Sequence, residues 1–215
     1  MKVDVKSRAE IDRMREACRM SAEIRDICAA AVAPGVTTGE IDALVVDYCE
    51  KHHVRAGFYD YHGYPGHLCV SINDEVIHGI PSPHRVIVPG DLVKTDVGIF
   101  KDGFNGDTSR TVAVGVTDPE VLRLVETTKA CLKAGIAACG PGVHLGDVGY
   151  AIEQVAQNPR HSPQSLSIRS PRHTPHPEEP SDAWAKGTPN RTRHSTAKCP
   201  KFQGIFPSPS LSALW

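Results

Sequence analysis

The dipeptide Asp102-Gly103, inside the run LVKTDVGIFKDGFNGDTSRTVAV from Leu92 to Val114, constrains this chain more than any other feature. Asp-Gly favours the tight two-residue turn between antiparallel strands, because both residues tolerate the left-handed backbone that such a turn needs. Extended runs flank it on both sides, so the sequence predicts a hairpin with its tip at 102–103. A two-residue loop fixes the register: residues whose numbers sum to 205 face one another. Asp96 then lies opposite Ser109, and Asp107 opposite Gly98.

Side chains alternate along a strand, so Asp96 and Asp107 project from one face as diagonal neighbours, ~7–8 Å apart at Cα. Carboxylates at that spacing repel unless a cation sits between them. Two divalent ions ~3.5–4 Å apart, each needing oxygen ligands, would satisfy the geometry. A bulge would shift the register and turn the pair to opposite faces. The same letters also suit an edge-strand charge at Asp96 and a turn residue at Asp107 after Asn105-Gly106. Spacing alone leaves both readings open, although Asp96 interrupts an otherwise apolar strand.

Ahead of the hairpin the pattern is helical. Ser7 with Glu10 forms a capping-box signature, and Ile11, Met14, Cys18, Ser21, Ile24 and Cys28 follow at three- to four-residue spacing until Pro34-Gly35. Thr37 with Glu40 opens a second helix with the stripe Ile41, Leu44, Val45, Tyr48 and Cys49. From Phe58 short extended runs appear: Leu68 to Ile72, Val86-Ile87-Val88, Leu92 to Phe100 and Thr111 to Val114. Asp118 and Pro119 supply an N-cap and a first-turn proline for a third helix, with the stripe Leu122, Val125, Leu132 and Ile136. A fourth runs over about residues 146–157 and carries Val148, Ile152 and Val155.

Pro34-Gly35-Val36-Thr37-Thr38-Gly39-Glu40-Ile41 reads against Pro141-Gly142-Val143-His144-Leu145-Gly146-Asp147-Val148, each following one helix and opening another. A duplicated helix-pair-plus-sheet would place a second set of strands after Gln157. From Asn158 the chain turns instead to Pro, Ser, Arg and His, with no sustained helical or strand period. Such a segment buries too little apolar surface to offset its ordering entropy, so a solvated, disordered tail is expected over 158–215.

Formal net charge is −1, which gives no global attraction to nucleic acid or to an acidic membrane. The first residues alternate charge with single apolar side chains, unlike a signal peptide, and no stretch reaches the ~18 apolar residues of a membrane span. Seven cysteines, at 18, 28, 49, 69, 131, 139 and 199, include no Cys-x-x-Cys pair. They fit reduced thiols of a cytoplasmic protein better than a disulfide frame.

Two loops add candidate functional groups. His78, in Val76-Ile77-His78-Gly79-Ile80-Pro81, sits where an apolar run breaks into a loop and is placed either to hydrogen-bond a substrate carbonyl or to serve the loop itself. Tyr61-His62-Gly63-Tyr64-Pro65 is a ring-rich loop suited to lining a small apolar pocket or to packing in a core.

Taken in order, Tyr61-His62-Gly63-Tyr64-Pro65, Cys69-Val70-Ser71-Ile72-Asn73, Val76-Ile77-His78-Gly79-Ile80-Pro81, Asp96 and Asp102-Gly103-Phe104-Asn105-Gly106-Asp107-Thr108 closely resemble type I methionine aminopeptidases. Pro34 to Glu40 matches as well, and the resemblance covers about residues 5–157. It implies the pita-bread α+β fold, here its first half, with 1–157 as the N-terminal part of a catalytic domain and 158–215 as an unrelated tail. It implies removal of the N-terminal methionine from nascent polypeptides by a pair of divalent ions (Co, Mn, Fe or Zn), in a cytoplasmic monomer. The family's two aspartate ligands carry over onto Asp96 and Asp107, and its substrate-contacting histidine onto His78. Phe58, Tyr61, Tyr64 and Cys69 fall where the family lines its methionine pocket, with Phe58 bulkier than the usual occupant.

In the family, a histidine ligand and two glutamates follow in the second half, beginning with a Gly-His-Gly-Ile-Gly-like segment. This chain reads Asn158-Pro159-Arg160-His161-Ser162-Pro163 there, and neither the later histidines nor Glu178-Glu179 sit in a matching motif. Translation out of frame, or from a repeat element, would produce such a tail. With an incomplete cage and an uncovered apolar face, the chain alone is expected to be nearly inactive and poorly soluble. A proline-specific peptidase of the same fold, or a non-catalytic pita-bread binding module, are the alternatives. The former usually carries a separate domain ahead of the pita-bread part, and the latter typically loses the metal ligands.

Overall fold

The computed structural model describes residues 4–158. Both expected capping boxes form. Helix α1 (Arg8–Ala31) begins where the Ser7 N–H donates to the Glu10 carboxylate at 2.7 Å and the Glu10 N–H donates back to Ser7 Oγ at 3.4 Å. Helix α2 (Thr38–His52) repeats the device with Thr37 and Glu40, at 2.7 and 3.2 Å. Each such cap contributes about 1 kcal/mol by satisfying N–H groups that the helix itself leaves bare. His53 ends α2 in the left-handed region, its N–H donating to the last-turn carbonyls of Cys49 and Glu50.

Strands β1 (Arg55–Ala56), β2 (Cys69–Ile72), β3 (Leu92–Lys101) and β4 (Phe104–Ala113) form one antiparallel sheet. β4 pairs with β3 along its whole length, while β2 and β1 share the other edge of β3, at its two ends. The register is the one the Asp-Gly turn predicts: Asp96 faces Ser109 and Gly98 faces Asp107. Asp102 and Gly103 both take positive φ, 48° and 87°, as the turn demands.

Odd-numbered residues of β3 face the core. Val93, Thr95, Val97 and Ile99 are fully buried, and Val93, Val97 and Ile99 share a core with Ile24 and Cys28 of α1 and Ile41 and Val45 of α2. Each such aliphatic side chain stabilises the fold by roughly 1.5–3 kcal/mol. Helix α1 lies directly against β4, because Gly106 lets the backbones touch: a Cβ there would stand 2.4 Å from the Ala17 carbonyl oxygen. Ser21 locks the contact, its Oγ donating to the Ala17 carbonyl (3.0 Å) and accepting the Ile99 N–H (3.1 Å).

One extended run differs from its sequence reading. Val86-Ile87-Val88 joins no strand of the sheet and makes a single bridge, Val86 to Thr37. Its backbone is used by the connection between α1 and α2 instead, with Gly35 N–H donating to Ile87 O (2.9 Å) and Ile87 N–H to Val36 O (2.8 Å). The extended preference was legible; the partner, fifty residues upstream, was not.

Helices α3 (Pro119–Ala138) and α4 (Leu145–Gln157) pack on each other around Gly135, where a Cβ would meet the Ile152 side chain at 2.9 Å. The stripe expected on α3 is largely open to water among the described residues: Leu132 and Ile136 are 63% and 64% exposed. Asn158 ends α4, and the tail expected beyond it lies outside the described residues. Among the described residues no helix is long and apolar enough to cross a membrane.

Candidate functional site

The even-numbered face of β3, turned away from α1, carries Asp96, and the register brings Asp107 of β4 beside it. The two carboxyls lie within interaction reach of each other, and burial raises both above the usual carboxylate range. Burial lifts Asp96 from the usual 3.8 to about 7, reinforced by the neighbouring Asp107. Asp107 is more exposed, and its carboxyl is also raised above the usual range. Partial burial raises it, while the neighbouring Asp96 and the Thr108 N–H favour its ionised form. Among the described residues no cationic side chain contributes to either shift.

Cys69 of β2 faces Asp96 across the strand pair and is 2% exposed. Its thiol is raised above the usual range, first by burial. Tyr64 lies beside that thiol, and its hydroxyl donates toward the carbonyls of Leu68 (3.2 Å) and Gly79 (3.0 Å). Phe58 meets Tyr64 edge-to-face with centroids 6.5 Å apart, and its ring tip lies 3.7 Å from where a Cβ on Gly98 would be. Since Gly98 is the residue opposite Asp107, Phe58 and Tyr64 wall the carboxylate pair on its apolar side. The structure thus brings Asp96, Asp107, Cys69, Tyr64 and Phe58 onto one face.

Tyr61 and His78 stand further out. Tyr61 opens a short 3-10 turn, Tyr61–Gly63, and is 48% exposed against the edge of His62. His78 is exposed with φ +60°, on a loop fastened to β2 through Gly79. Gly79 accepts the Val70 N–H (2.9 Å) and donates to Ser71 Oγ (3.0 Å), a contact so close that a Cβ would stand 2.2 Å from the Val70 carbonyl. This docking, together with the Tyr64 hydroxyl, ties the His78 loop to the wall of the site.

Two contributors were not apparent from sequence. Asp42 of α2 accepts the backbone N–H groups of His67 (2.6 Å) and Leu68 (3.2 Å), and the His67 ring stacks on Tyr59. An aspartate near the start of a polar helix reads as a solvated charge, and no spacing rule links it to a loop twenty-five residues on.

Paired carboxylate oxygen donors suit a hard or borderline divalent ion, whose charge would relieve their mutual repulsion. The fit is partial: among the described residues no group of three or more His, Cys, Asp or Glu side chains gathers to hold a metal. Asp96 and Asp107 supply one side of a ligand set.

The chain matches the model of metallopeptidase family M24 over residues 12–196. It is 36% identical over 154 residues to the methionine aminopeptidase of Clostridium acetobutylicum, covering 72% of this chain and 62% of that protein. It is 40% identical over 151 residues to methionine aminopeptidase A of Synechocystis sp., covering 70% and 60%. The crystal structure of methionine aminopeptidase from Thermotoga maritima superposes with a TM-score of 0.69 at 34% identity, covering 72% of this chain and 62% of that one. The chain therefore spans about three-fifths of the length of these relatives, and its fold is theirs, the pita-bread architecture. A site of paired carboxylates on a β-hairpin under an aromatic wall, together with this match, places the chain in metallopeptidase family M24.

Proposed function

We propose that residues 1–157 form the N-terminal part of a metal-dependent aminopeptidase that removes methionine from the start of nascent polypeptides. The observation that carries this reading is the placement of Asp96 and Asp107 side by side on one face of the hairpin, where two neighbouring carboxylates favour positive charge between them. Two divalent ions, Co, Mn, Fe or Zn, would be held there, with Asp96 and Asp107 contributing carboxylate oxygens. Bound metal would supply a polarised carbonyl and an activated water. The chain's own residues do the rest of the work available to them. Phe58, Tyr64 and Cys69, with Tyr61 further out, would form an apolar wall for an unbranched thioether side chain beside the carboxylate pair. His78, on the loop fastened at Gly79, is placed to donate a hydrogen bond to a substrate carbonyl. Cytoplasmic location, a monomeric state, and no nucleic-acid or membrane partner belong to the same reading.

Two carboxylates alone grip a cation weakly, so the 215-residue chain is expected to release methionine from a Met-Ala peptide at close to background. Joining residues 1–157 to the part of the Thermotoga maritima enzyme that this chain does not match tests the function itself. Metal-dependent methionine release, abolished by Asp96→Asn, supports the proposal. A folded, metal-loaded chimera that releases none overturns it.

A further inference from the structure

The segment from Phe58 to Leu68 carries the aromatic wall, and α2 fastens only its far end through backbone contacts. Asp42 accepts the N–H groups of His67 (2.6 Å) and Leu68 (3.2 Å), and its second oxygen lies 2.9 Å from His67 Nδ1. The His67 ring then stacks on Tyr59, with centroids 4.4 Å apart and planes within 3° of parallel. Tyr59 is the residue next to Phe58, so this ring pair ties the first turn of the segment to its last residues. Asp42 alone would hold positions 67 and 68 and leave the early turn without that cross-link. The turn in between is costly to hold, since Asp60 and His62 both take positive φ, 61° and 50°.

We propose that His67 is a positioning residue for the carboxylate site: anchored on Asp42 and stacked on Tyr59, it holds the Phe58–Tyr64 wall down over Cys69 and Asp96. Its consequence for grip on an apolar side chain rests on the function proposed above. The ring acts through the wall and touches neither carboxylate. Loss of the ring loosens the turn that carries Tyr64 and uncovers Cys69 beside it.

Cys69 is therefore a reporter. The full chain is treated with iodoacetamide under native conditions at pH 7.5, and labelling is followed cysteine by cysteine by peptide mass mapping. Cys18 and Cys139 are exposed references, and Cys28, fully buried on the inner face of α1, reports general loosening. His67→Ala is expected to raise the Cys69 rate about tenfold, the scale of one lost ring stack, with Cys28 still protected. His67→Phe and Tyr59→Phe keep the stack and are expected to leave Cys69 within about twofold of the wild type. An unchanged Cys69 rate in His67→Ala overturns the proposal. So does a parallel rise of Cys28, or failure of His67→Phe to restore protection. With manganese present, free methionine should slow Cys69 labelling in the wild type and less in His67→Ala. If methionine protects neither while the tenfold difference persists, the peptidase reading fails and the clamp stands.

Discussion

Replacing Asp96 by asparagine removes the titrating group while keeping the side chain's shape and a donor for Asp107. Burial and the neighbouring carboxylate lift Asp96 from 3.8 to about 7. A gap of about three pH units corresponds to a ceiling of ~4 kcal/mol. Asp96 keeps part of its surface in water, so solvent screening reduces the effect to roughly 1–2 kcal/mol. The native pair holds a proton that the unfolded chain releases near pH 4, so wild-type stability is full below that point. It is lost as pH rises through about 7. Asparagine does not titrate. In metal-free buffer with chelator, urea unfolding followed by circular dichroism should show Asp96→Asn more stable than wild type by ~1–2 kcal/mol at pH 8. That corresponds to roughly 2–8 °C in Tm for a domain of this size. The two proteins should converge at pH 4. A difference that does not vary with pH, or a wild type that is the more stable at pH 8, would refute the raised Asp96 carboxyl.

Gly106→Ala forces a Cβ against the Ala17 carbonyl and pushes α1 off the hairpin, so urea unfolding should show a loss of about 1–3 kcal/mol. Leu132→Glu with Ile136→Lys alters side chains already open to water; stability should change by less than about 0.5 kcal/mol while the soluble yield rises. Cation affinity should climb about tenfold per pH unit below 7, because the metal must displace the proton on Asp96, and level off above it; calorimetric titration across pH 6 to 8 checks this.

Features governed by neighbouring residues were legible in the sequence. Ser7 with Glu10, Thr37 with Glu40, and Asp118 with Pro119 each announced a helix start, and Asp102-Gly103 set a register that aligned Asp96 with Asp107. Alternation then put both carboxylates on one face without any knowledge of the tertiary structure. Features governed by distant partners were not legible. Val86-Ile87-Val88 has the composition of a strand, but its hydrogen bonds go to residues 35–37. Asp42 and His67 meet only because α2 runs past the aromatic segment, and neither lies in a patterned motif. The stripe on α3 announced a buried face, yet periodicity says nothing about what covers it, and Leu132 and Ile136 are bare among the described residues.

Manganese binding to the full chain at pH 7.5, followed by the loss of free-ion electron paramagnetic resonance signal, probes the joint grip of the hairpin carboxylates most directly. Weak, saturable binding that disappears in both Asp96→Asn and Asp107→Asn is the predicted outcome. Binding that survives either single replacement at wild-type strength would mean that the two side chains do not share a cation.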